Sequence, residues 1–348
     1  MRRRFLVTGG AGFIGSALVR RLIAETDDEI LVIDKLTYAG SLASLAAVSE
    51  DPRFRFLRAD IADEPAMRRA FATFDPDIVL HLAAESHVDR SIVGPRAFID
   101  TNVVGTCVLL QAACDHWRGL AGARRDGFRF VQVSTDEVFG ALGAEGHFDE
   151  DSPYRPNSPY SASKAAGDHL AVAWLRTYGL PVIVTHGSNT YGPYQYPEKL
   201  IPRMVINALA GGPLPVYGAG ANVRDWLHVD DHAAAIHRVA EAGAVGARYM
   251  IGGGSERANI DVVRAICAIL DERVPDRRNG AHERLIAFVE DRAGHDFRYA
   301  VDPARIKALG WRPRTDFEEG LRNTVGWYCD NRAWWQGEAA KVGVAASA

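Results

Sequence analysis

Short strand-like runs alternate with helix-like stretches through the first half of the chain. The strand-like runs, rich in β-branched and aromatic residues, are FLVT, EILVID, FRFLRAD, IVLHLAA, FRFVQVST and PVIVTH. The stretches between them include ALVRRLIAE, PAMRRAFATF and AFIDTNVVGTCVLLQAACDHW. Successive parallel strands need a crossover connection, which is usually a helix. The alternation therefore predicts an α/β fold, a Rossmann-type doubly wound parallel sheet with helices on both faces.

The rhythm changes after about residue 188, where proline and glycine become frequent. This change predicts a smaller C-terminal lobe that completes a site on the sheet. The predicted ranges are 1–187 with a returning segment of about 225–253 for the larger domain, 188–224 and 254–335 for the smaller lobe, and 336–348 for a flexible tail.

Composition argues against several classes of partner. The chain of 348 residues has 40 Lys and Arg against 44 Asp and Glu, a formal charge of -4. Without a basic excess, neither a nucleic-acid nor a membrane partner is expected, and no run of roughly 18 apolar residues predicts a membrane span. The four cysteines lack metal-ligand spacing and are too few for a disulfide scaffold, which favours a reducing cytoplasm and no metal.

A glycine-rich loop, TGGAGFIGS, follows the first strand and opens the first helix. It matches G-x-G-x-x-G through Gly10, Gly12 and Gly15, and a wider spacing through Gly9. Asp34 ends the next strand, about 20 positions further on, as in dinucleotide-binding folds. Such glycines let the backbone approach a pyrophosphate at a helix N-terminus. A carboxylate at the ribose repels a 2′-phosphate, so the pattern predicts NAD rather than NADP; the alternative is a glycine-rich turn without a ligand.

Two adjacent carboxylates, Asp136 and Glu137, stand where the strand FRFVQVST ends. Burying one unpaired carboxylate is costly, and two neighbours that both ionise cost more. The pair therefore suggests an acid and a base acting close together.

A second chemical motif is YSASK, in which Tyr160 and Lys164 are four residues apart after Pro159. On a helix this spacing puts phenol and ammonium on one face. Lowering a phenol pKa from about 10 by roughly 3 units takes about 4 kcal/mol. A cation at about 4 Å supplies on the order of 4 kcal/mol at an effective dielectric of 20, so we expect Lys164 and a cationic nicotinamide to activate Tyr160. An ordinary surface pair is the alternative.

These motifs together resemble the extended short-chain dehydrogenase/reductases, and more narrowly the dTDP-glucose 4,6-dehydratase family. The matching stretches are IDKLTYAGSLASL, HLAAESHVDRSI, NVVGT, STDEVFG, YSASKAAGDHL, YGPYQYPEKLIP, RDWLHVDDH, DRAGHDFRY and LGWRP. They run from about residue 5 to 335. The element TDE is the discriminating one, since related epimerases and decarboxylases lack the acid pair.

The resemblance implies NAD-dependent conversion of dTDP-glucose to dTDP-4-keto-6-deoxyglucose and water. Tyr160, with Lys164, would take the proton of the C4 hydroxyl while hydride passes to NAD, and Thr135 would bond the C4 oxygen. Glu137 would remove the C5 proton and Asp136 would protonate the leaving C6 hydroxyl. The hydride would then return to C6.

Further site residues are carried over from the matching stretches. The implied NAD contacts are Gly9, Gly12, Phe13, Ile14, Gly15, Asp34, Lys35, Thr37, Asp60, Ile61, Leu82, Ala83, Ala84, Thr101, Tyr160, Lys164 and Asn189. The implied substrate contacts are Glu85, Ser86, Thr135, Asn189, Lys199, Leu200, Pro215, Tyr217, Arg224, Asn259, Asp291, Arg292, His295 and Tyr299. Arg224 and Arg292 are the candidate pyrophosphate clamps, since guanidinium binds phosphate bidentately.

Two positions depart from the family pattern. Thr190 follows Asn189 where a second Asn is more usual, and Phe139 stands where Tyr is usual. Both lie beside the expected chemistry, so they bear on base or sugar preference rather than on the reaction. His81 and His87 are interpreted as hydrogen-bonding residues rather than metal ligands.

The residues alone are also compatible with other functions. One is a 4,6-dehydratase or epimerase for a CDP- or UDP-sugar, and another is a non-catalytic NAD-sensing protein. The apolar helices predicted at 95–117 and 158–178 favour a homodimer, although core packing explains much of the same pattern.

Overall fold

A computed structural model describes residues 2–341, and a seven-stranded parallel sheet forms its centre. The strands are β1 (Arg4–Thr8), β2 (Glu29–Asp34), β3 (Phe54–Arg58), β4 (Ile78–His81), β5 (Arg129–Thr135), β6 (Val182–Gly187), β7 (Asn189–Tyr191), β8 (Leu214–Tyr217), β9 (Val223–His228), β10 (Arg248–Ile251), β11 (Glu256–Ala258) and β12 (Ile286–Val289). The large sheet has the order β10-β6-β5-β4-β1-β2-β3. The predicted Rossmann-type fold is confirmed, with each of the six predicted strands in it.

Helices cover both faces of this sheet or build a separate core beside it. They are α1 (Phe13–Glu25), α2 (Glu64–Phe74), α3 (Val88–Val93), α4 (Arg96–Ile99), α5 (Thr106–Gly119), α6 (Gly122–Gly127), α7 (Pro159–Tyr178), α8 (Leu200–Leu209), α9 (Val229–Ala242), α10 (Asn259–Arg273), α11 (Ala304–Ala308), α12 (Phe317–Asp330) and α13 (Arg332–Lys341). A π-helical segment, Asp100–Gly105, joins α4 to α5. Short 3₁₀ turns occupy Leu42–Val48, Asp136–Phe139 and His282–Leu285.

Two separate apolar cores pack on the faces of the large sheet. One face packs against α1 and α9 through side chains such as Leu18 and Ile236. The other packs against α2, α5 and α7 through side chains such as Phe71 and Leu109. Because both faces are covered, inner strands such as β4 and β6 are buried at every residue rather than at alternate residues.

A further core lies outside the large sheet. It is built by α8, α10 and α12, together with residues of β8 and β9. The strands here form two small sheets, β11-β9-β7 and β12-β8. Residues 229–251 return to the large sheet, where α9 packs on α1 and β10 pairs with β6. Most of this core lies in the ranges predicted for the smaller lobe, but Trp226 falls in the predicted returning segment and Ala339 in the predicted tail. The division into domains stays a prediction.

The C-terminal helix differs from the expected tail. Residues 336–341 continue α13, and Trp335 and Ala339 pack into the core of the smaller lobe. The indole nitrogen of Trp335 donates to the Tyr328 carbonyl at 2.8 Å. Two buried side chains therefore anchor a segment whose small residues suggested fraying. The rest of the expected tail, 342–348, lies outside the described residues.

The helical run Arg96–Gly119 has a mean hydropathy of 1.4 in an 18-residue window, so by length and composition alone it passes for a membrane span. Of that window, 56% is buried inside the fold. A core helix against a sheet has the same pattern, and the burial of Leu109 and Leu110 places this helix there.

One buried carboxylate ties the C-terminal segment to α9. Asp231 accepts hydrogen bonds from the backbone N–H groups of Arg314 at 3.0 Å and Thr315 at 2.9 Å. Its own carbonyl accepts from the indole of Trp311 at 3.1 Å. These bonds fix the loop between α11 and α12 on the larger domain.

We predict that Asp231→Ala lowers the free energy of unfolding by about 2 kcal/mol, because two N–H groups lose a charged acceptor. Urea denaturation of both proteins measures it. The matched control is Asp230→Ala, since the Asp230 side chain is 71% exposed and its loss affects the helix dipole and a 3.8 Å contact with His228, by up to about 1 kcal/mol. Equal destabilisation by the two substitutions would contradict the anchoring role.

Candidate active site

The first cavity opens at the carboxyl ends of β1 and β4, where the strand order reverses. It has a volume of about 300 Å³. Doubly wound folds bind nucleotides at this reversal point. The two strand ends approach so closely that a Cβ on Gly9 would lie 2.6 Å from the backbone nitrogen of Ala83. Gly9 also has a φ of +69°, so both its space and its conformation require glycine.

The glycine loop exposes the start of α1 to this cavity. A Cβ on Gly15 would lie 2.2 Å from the Gly9 carbonyl oxygen, so the loop closes tightly only with glycine there. No side chain caps the helix N-terminus. Its backbone N–H groups and positive dipole end are thus available to an anion.

The proposed NAD residues converge on the first cavity with one exception. Those that line it are Gly9, Gly12, Phe13, Ile14, Gly15, Asp34, Lys35, Thr37, Ile61, Leu82, Ala83, Ala84, Thr101, Tyr160, Lys164 and Asn189. Asp60 does not line the cavity: its carboxylate accepts from the Lys35 ammonium at 3.3 Å. The same ammonium donates to the Thr101 hydroxyl at 3.0 Å. Asp60 thus holds Lys35, which differs from the expected direct contact.

Asp34 is fixed by the backbone around it. Its carboxylate accepts from the N–H groups of Leu36 at 2.8 Å and Ala11 at 3.1 Å. Burial raises the pKa of Asp34, while these two bonds lower it. The carboxylate is therefore held at the rim of the cavity, where the ribose of a dinucleotide is expected.

The five proposed catalytic residues line the same cavity. Strand β5 ends at Thr135, and the turn Asp136–Phe139 follows at once. Helix α7 begins at Pro159, as the sequence predicts, with a capping box between Ser158 and Ser161. Sheet and helix thus bring residues 135–137 to Tyr160 and Lys164.

The two adjacent carboxyls have unequal surroundings. Burial, then Glu137, then Asp225 raise the pKa of Asp136 well above its usual range. Burial also raises the pKa of Glu137, but three cations, Arg292, Arg224 and Lys199, lower it. Environments that push two carboxyl pKa values apart assign the protonated acid and the ionised base. These unequal surroundings agree with the predicted roles of Asp136 as the acid and Glu137 as the base, and both roles stay predictions.

The pKa of the Tyr160 phenol is raised, whereas we expected from the sequence that it would be lowered. Burial and then Glu137 raise its pKa well above the usual value, while a hydrogen bond with Thr135 lowers it. The Lys164 ammonium donates to the Val133 carbonyl at 2.8 Å, and burial lowers the pKa of Lys164. The protein's own groups thus keep the phenol protonated, because burial destabilises the phenolate more than the neighbouring groups stabilise it.

A second cavity, of about 190 Å³, adjoins the first. Residues that line both are Ser86, Glu137, Asn189, Glu198 and Lys199. Of the proposed substrate contacts, those that line the second cavity are Ser86, Asn189, Lys199, Leu200, Pro215, Tyr217, Arg224, Asn259, Arg292, His295 and Tyr299. Glu85 and Thr135 line only the first cavity. Asp291 lines neither and instead holds the His295 ring, at 2.6 Å.

Two arginines, Arg224 and Arg292, line the second cavity. Arg224 is buried, with its guanidinium 4.3 Å from the Tyr299 ring centroid, and it donates to the Asp296 carbonyl at 3.0 Å. Arg292 lies 3.5 Å from the Asp89 carboxylate, and its buried Nε has no partner. Guanidinium groups held by their neighbours in this way are suited to a phosphate.

Several lining residues were missed in the sequence. Glu198, whose side chain is 6% exposed, lies 3.3 Å from Arg90 and lines both cavities. His232 lines the first cavity and Asp89 the second. Glu198 stands next to the recognised Lys199, but nothing in the spacing marks the other two, because they come from distant parts of the chain.

Phe139 and His81 have structural roles. The Phe139 ring is buried between Phe148, Tyr154 and His186, with centroids 4.8 to 5.4 Å away, so a ring without a hydroxyl fits there. His81 bridges the hydroxyls of Thr8 and Thr106, at 2.7 and 3.0 Å. Within residues 2–341, no group of three or more His, Cys, Asp or Glu side chains is arranged to hold a metal ion.

Comparison with known proteins agrees with this site. The family model described as GDP-mannose 4,6 dehydratase matches residues 6–324. A dTDP-glucose 4,6-dehydratase of Neisseria meningitidis serogroup B is 57% identical over 338 residues, covering 96% of this chain and 95% of that protein. The dTDP-glucose 4,6-dehydratase 1 of Escherichia coli K12 is 54% identical, covering 95% and 94%.

A solved structure has the same fold throughout. The crystal structure of DesIV, a dTDP-glucose 4,6-dehydratase from Streptomyces venezuelae with NAD bound, superposes with a TM-score of 0.87 at 48% identity. The superposition covers 96% of this chain and 99% of that one. The chain therefore belongs to the nucleotide-sugar 4,6-dehydratase family, among the dTDP-glucose 4,6-dehydratases.

Proposed function

We propose that this protein is an NAD-dependent lyase that converts dTDP-glucose to dTDP-4-keto-6-deoxyglucose and water. The observation that carries the proposal is the unequal carboxyl pair, Asp136 and Glu137, beside Tyr160 where two cavities meet. Oxidation of a sugar hydroxyl needs only Tyr160 and its neighbours. An acid and a base on adjacent residues are needed when water is eliminated.

The first cavity fits NAD. The glycine loop and the uncapped start of α1 suit the pyrophosphate, and Asp34 suits the hydroxyls of the adenosine ribose. A 2′-phosphate would meet the Asp34 carboxylate, which favours NAD over NADP. NAD, when bound, supplies the hydride acceptor for C4 and the hydride source for C6.

Tyr160 and Thr135 would act at the C4 hydroxyl. The positive charges of Lys164, on the same helix face, and of a bound nicotinamide would stabilise the Tyr160 phenolate, and this phenolate would accept the hydroxyl proton as C4 is oxidised. The Thr135 hydroxyl, already hydrogen-bonded with Tyr160, holds the C4 oxygen in line. A ketone at C4 makes the adjacent C5 proton acidic, so elimination follows oxidation.

Glu137 and Asp136 would then remove water across C5 and C6. Glu137, whose pKa three cations lower against the effect of burial, takes the C5 proton in its ionised form. Asp136, kept protonated, gives its proton to the departing C6 hydroxyl. One proton is taken and one is given, so the pair's net charge is unchanged within a buried site.

The second cavity would hold the nucleotide diphosphate. Arg224 and Arg292 are the proposed partners of the pyrophosphate, and Lys199 lies where sugar and diphosphate meet because it lines both cavities. Asn259 has a buried, unpartnered side-chain oxygen in the second cavity, which suits an N–H or O–H donor of the nucleoside.

The active protein is proposed to be a homodimer. Apolar side chains are exposed on adjoining helical segments: Ile92 at 42%, Val93 at 90%, Ile99 at 43% and Val104 at 46%. Exposed apolar patches of this kind mark interaction sites, and a second copy of the chain covers them symmetrically. A cytoplasmic location is proposed as well, supported by four cysteines that are all free thiols.

The central test is turnover of dTDP-glucose by the parent and by Asp136→Asn and Glu137→Gln. The parent should yield a product that has lost one water. Each variant should form it roughly 10² to 10⁴-fold more slowly, because a general acid or base is removed while shape is kept. Mass spectrometry of the nucleotide sugar, with CDP- and UDP-glucose in parallel, provides the measurement.

The possible outcomes distinguish the proposed function from its alternatives. Faster turnover of CDP- or UDP-glucose assigns a different nucleotide, and an epimerised product of unchanged mass assigns an epimerase. NAD binding without turnover of any sugar would indicate a sensing protein. Variants that dehydrate at the parent rate would make the acid pair structural. Asp149→Asn, an exposed carboxyl change outside both cavities, is the matched control.

The pH dependence of turnover should report Glu137. A base must be ionised, so activity is lost as pH falls through its pKa. Arg292 lowers the pKa of Glu137, so Arg292→Gln should raise that pKa and move the acidic limb of the kcat profile to higher pH. Arg292→Lys keeps the charge and should leave the limb near its parent position. An unmoved limb in Arg292→Gln would exclude Glu137 as the titrating group.

Dimer formation should depend on the exposed apolar side chains of Ile92, Val93, Ile99 and Val104. Val104→Glu puts a charge in the middle of the proposed interface, and light scattering should then give the mass of one chain where the parent gives two. Val274→Glu is the control, since Val274 is also exposed, at 38%, but lies beyond α10 in the smaller lobe. A parent that has the mass of one chain would refute the dimer.

A further inference from the structure

The His232 imidazole lies inside the first cavity and is 2% exposed. It stands in the first turn of α9, on the returning segment, and its ring packs against the end of β6. A Cβ on Gly187 would lie 2.4 Å from its Cε1 and 2.7 Å from its Nε2. Strand β6 therefore ends in glycine where this ring needs the space.

The strand register places the ring at one end of the cavity. Gly187 pairs with Thr135 across β5 and β6. Thr135 is hydrogen-bonded with Tyr160, so His232 lies at the end of the cavity where oxidation takes place. Asp34, proposed for the adenosine ribose, comes from β2, which is four positions from β6 in the sheet order.

Thr190 fixes which ring nitrogen carries the proton. Its hydroxyl donates to the Ser188 carbonyl at 3.1 Å. Since a hydroxyl has one hydrogen, the contact of 2.7 Å between Thr190 Oγ1 and His232 Nδ1 has the ring N–H as donor. Nε2 is then a bare acceptor. Burial lowers the pKa of His232 to about 4, which agrees with a neutral ring.

Nε2 is buried and has no hydrogen-bond partner in the described structure. A buried acceptor without a donor costs free energy, so the ligand of this cavity is expected to supply a donor. A pyrophosphate has no hydrogen to give near neutral pH. The nicotinamide carboxamide of NAD has two N–H donors and belongs at the oxidation end.

We propose that His232 is a cofactor-positioning residue whose Nε2 accepts a hydrogen bond from the nicotinamide carboxamide of NAD, with Thr190 holding the ring for that bond. The proposal rests on NAD as the cofactor. A fixed carboxamide fixes which face of the nicotinamide is turned toward the sugar. Thr190, which departs from the usual asparagine, then acts on the cofactor through His232.

The test is a set of binding titrations without sugar, on protein freed of nucleotide. The ligands are NAD, 3-acetylpyridine adenine dinucleotide, which lacks the carboxamide N–H donors, and ADP-ribose, which lacks the nicotinamide. The parent should prefer NAD to the acetylpyridine compound by about tenfold, as one hydrogen bond allows. His232→Phe should weaken NAD binding by about the same factor, remove that preference and leave ADP-ribose binding within about twofold.

Two further variants sharpen the result. His232→Gln keeps an acceptor oxygen and should restore part of the preference for NAD. His237→Phe is the matched control, because His237 is a buried histidine on the same helix that lines neither cavity. It should bind all three ligands as the parent does.

Two outcomes overturn the proposal. If His232→Phe and His232→Gln both weaken ADP-ribose as much as NAD, the ring has a structural role only. If the parent does not distinguish NAD from the acetylpyridine compound, there is no bond to the carboxamide. Neither result bears on the dehydratase assignment, because no sugar is present, and the mass of the sugar product tests that assignment separately.

Discussion

The site depends on burying two adjacent carboxyls at the end of β5 without letting both ionise. Asp136 is 1% exposed and one of its oxygens has no hydrogen-bond partner. Two like charges at this separation in a low dielectric are mutually destabilising, so the protein must assign one proton to the pair. Burial raises the pKa of both carboxyls, but three cations lower the pKa of Glu137 while Glu137 and Asp225 raise that of Asp136 further, which favours the proton on Asp136.

Those cations come from a different part of the chain than the carboxyls. Asp136 and Glu137 stand on the large sheet, whereas Lys199, Arg224 and Arg292 come from segments that build or border the smaller lobe. The pKa values of the two carboxyls therefore differ in this way only when the large sheet and the smaller lobe are folded together. The proposed acid–base pair and the proposed diphosphate site share the same cations, so in the proposed mechanism binding and elimination depend on one packing arrangement.

Short-range patterns made the sheet and the carboxyl pair predictable. The six strand runs, the glycine loop and the start of α7 at Pro159 follow from local periodicity and capping, and each lies where expected. Asp60 was expected among the NAD contacts, but its carboxylate accepts a hydrogen bond from Lys35 and does not line the cavity. The order of residues 336–341 and the high pKa of Tyr160 both come from burial by distant segments, which no local pattern contains.

The polar atoms left unpaired explain how a buried site of this kind binds its ligands. Side-chain acceptors of Asn189, Asn259 and His232 are buried without a partner among the described residues, and each lines at least one of the two cavities. In the folded protein each costs free energy, which a ligand donor at the right place recovers. A ligand that lacks the donor leaves the cost in place. Specificity here is expected to arise from acceptors that the fold does not satisfy itself.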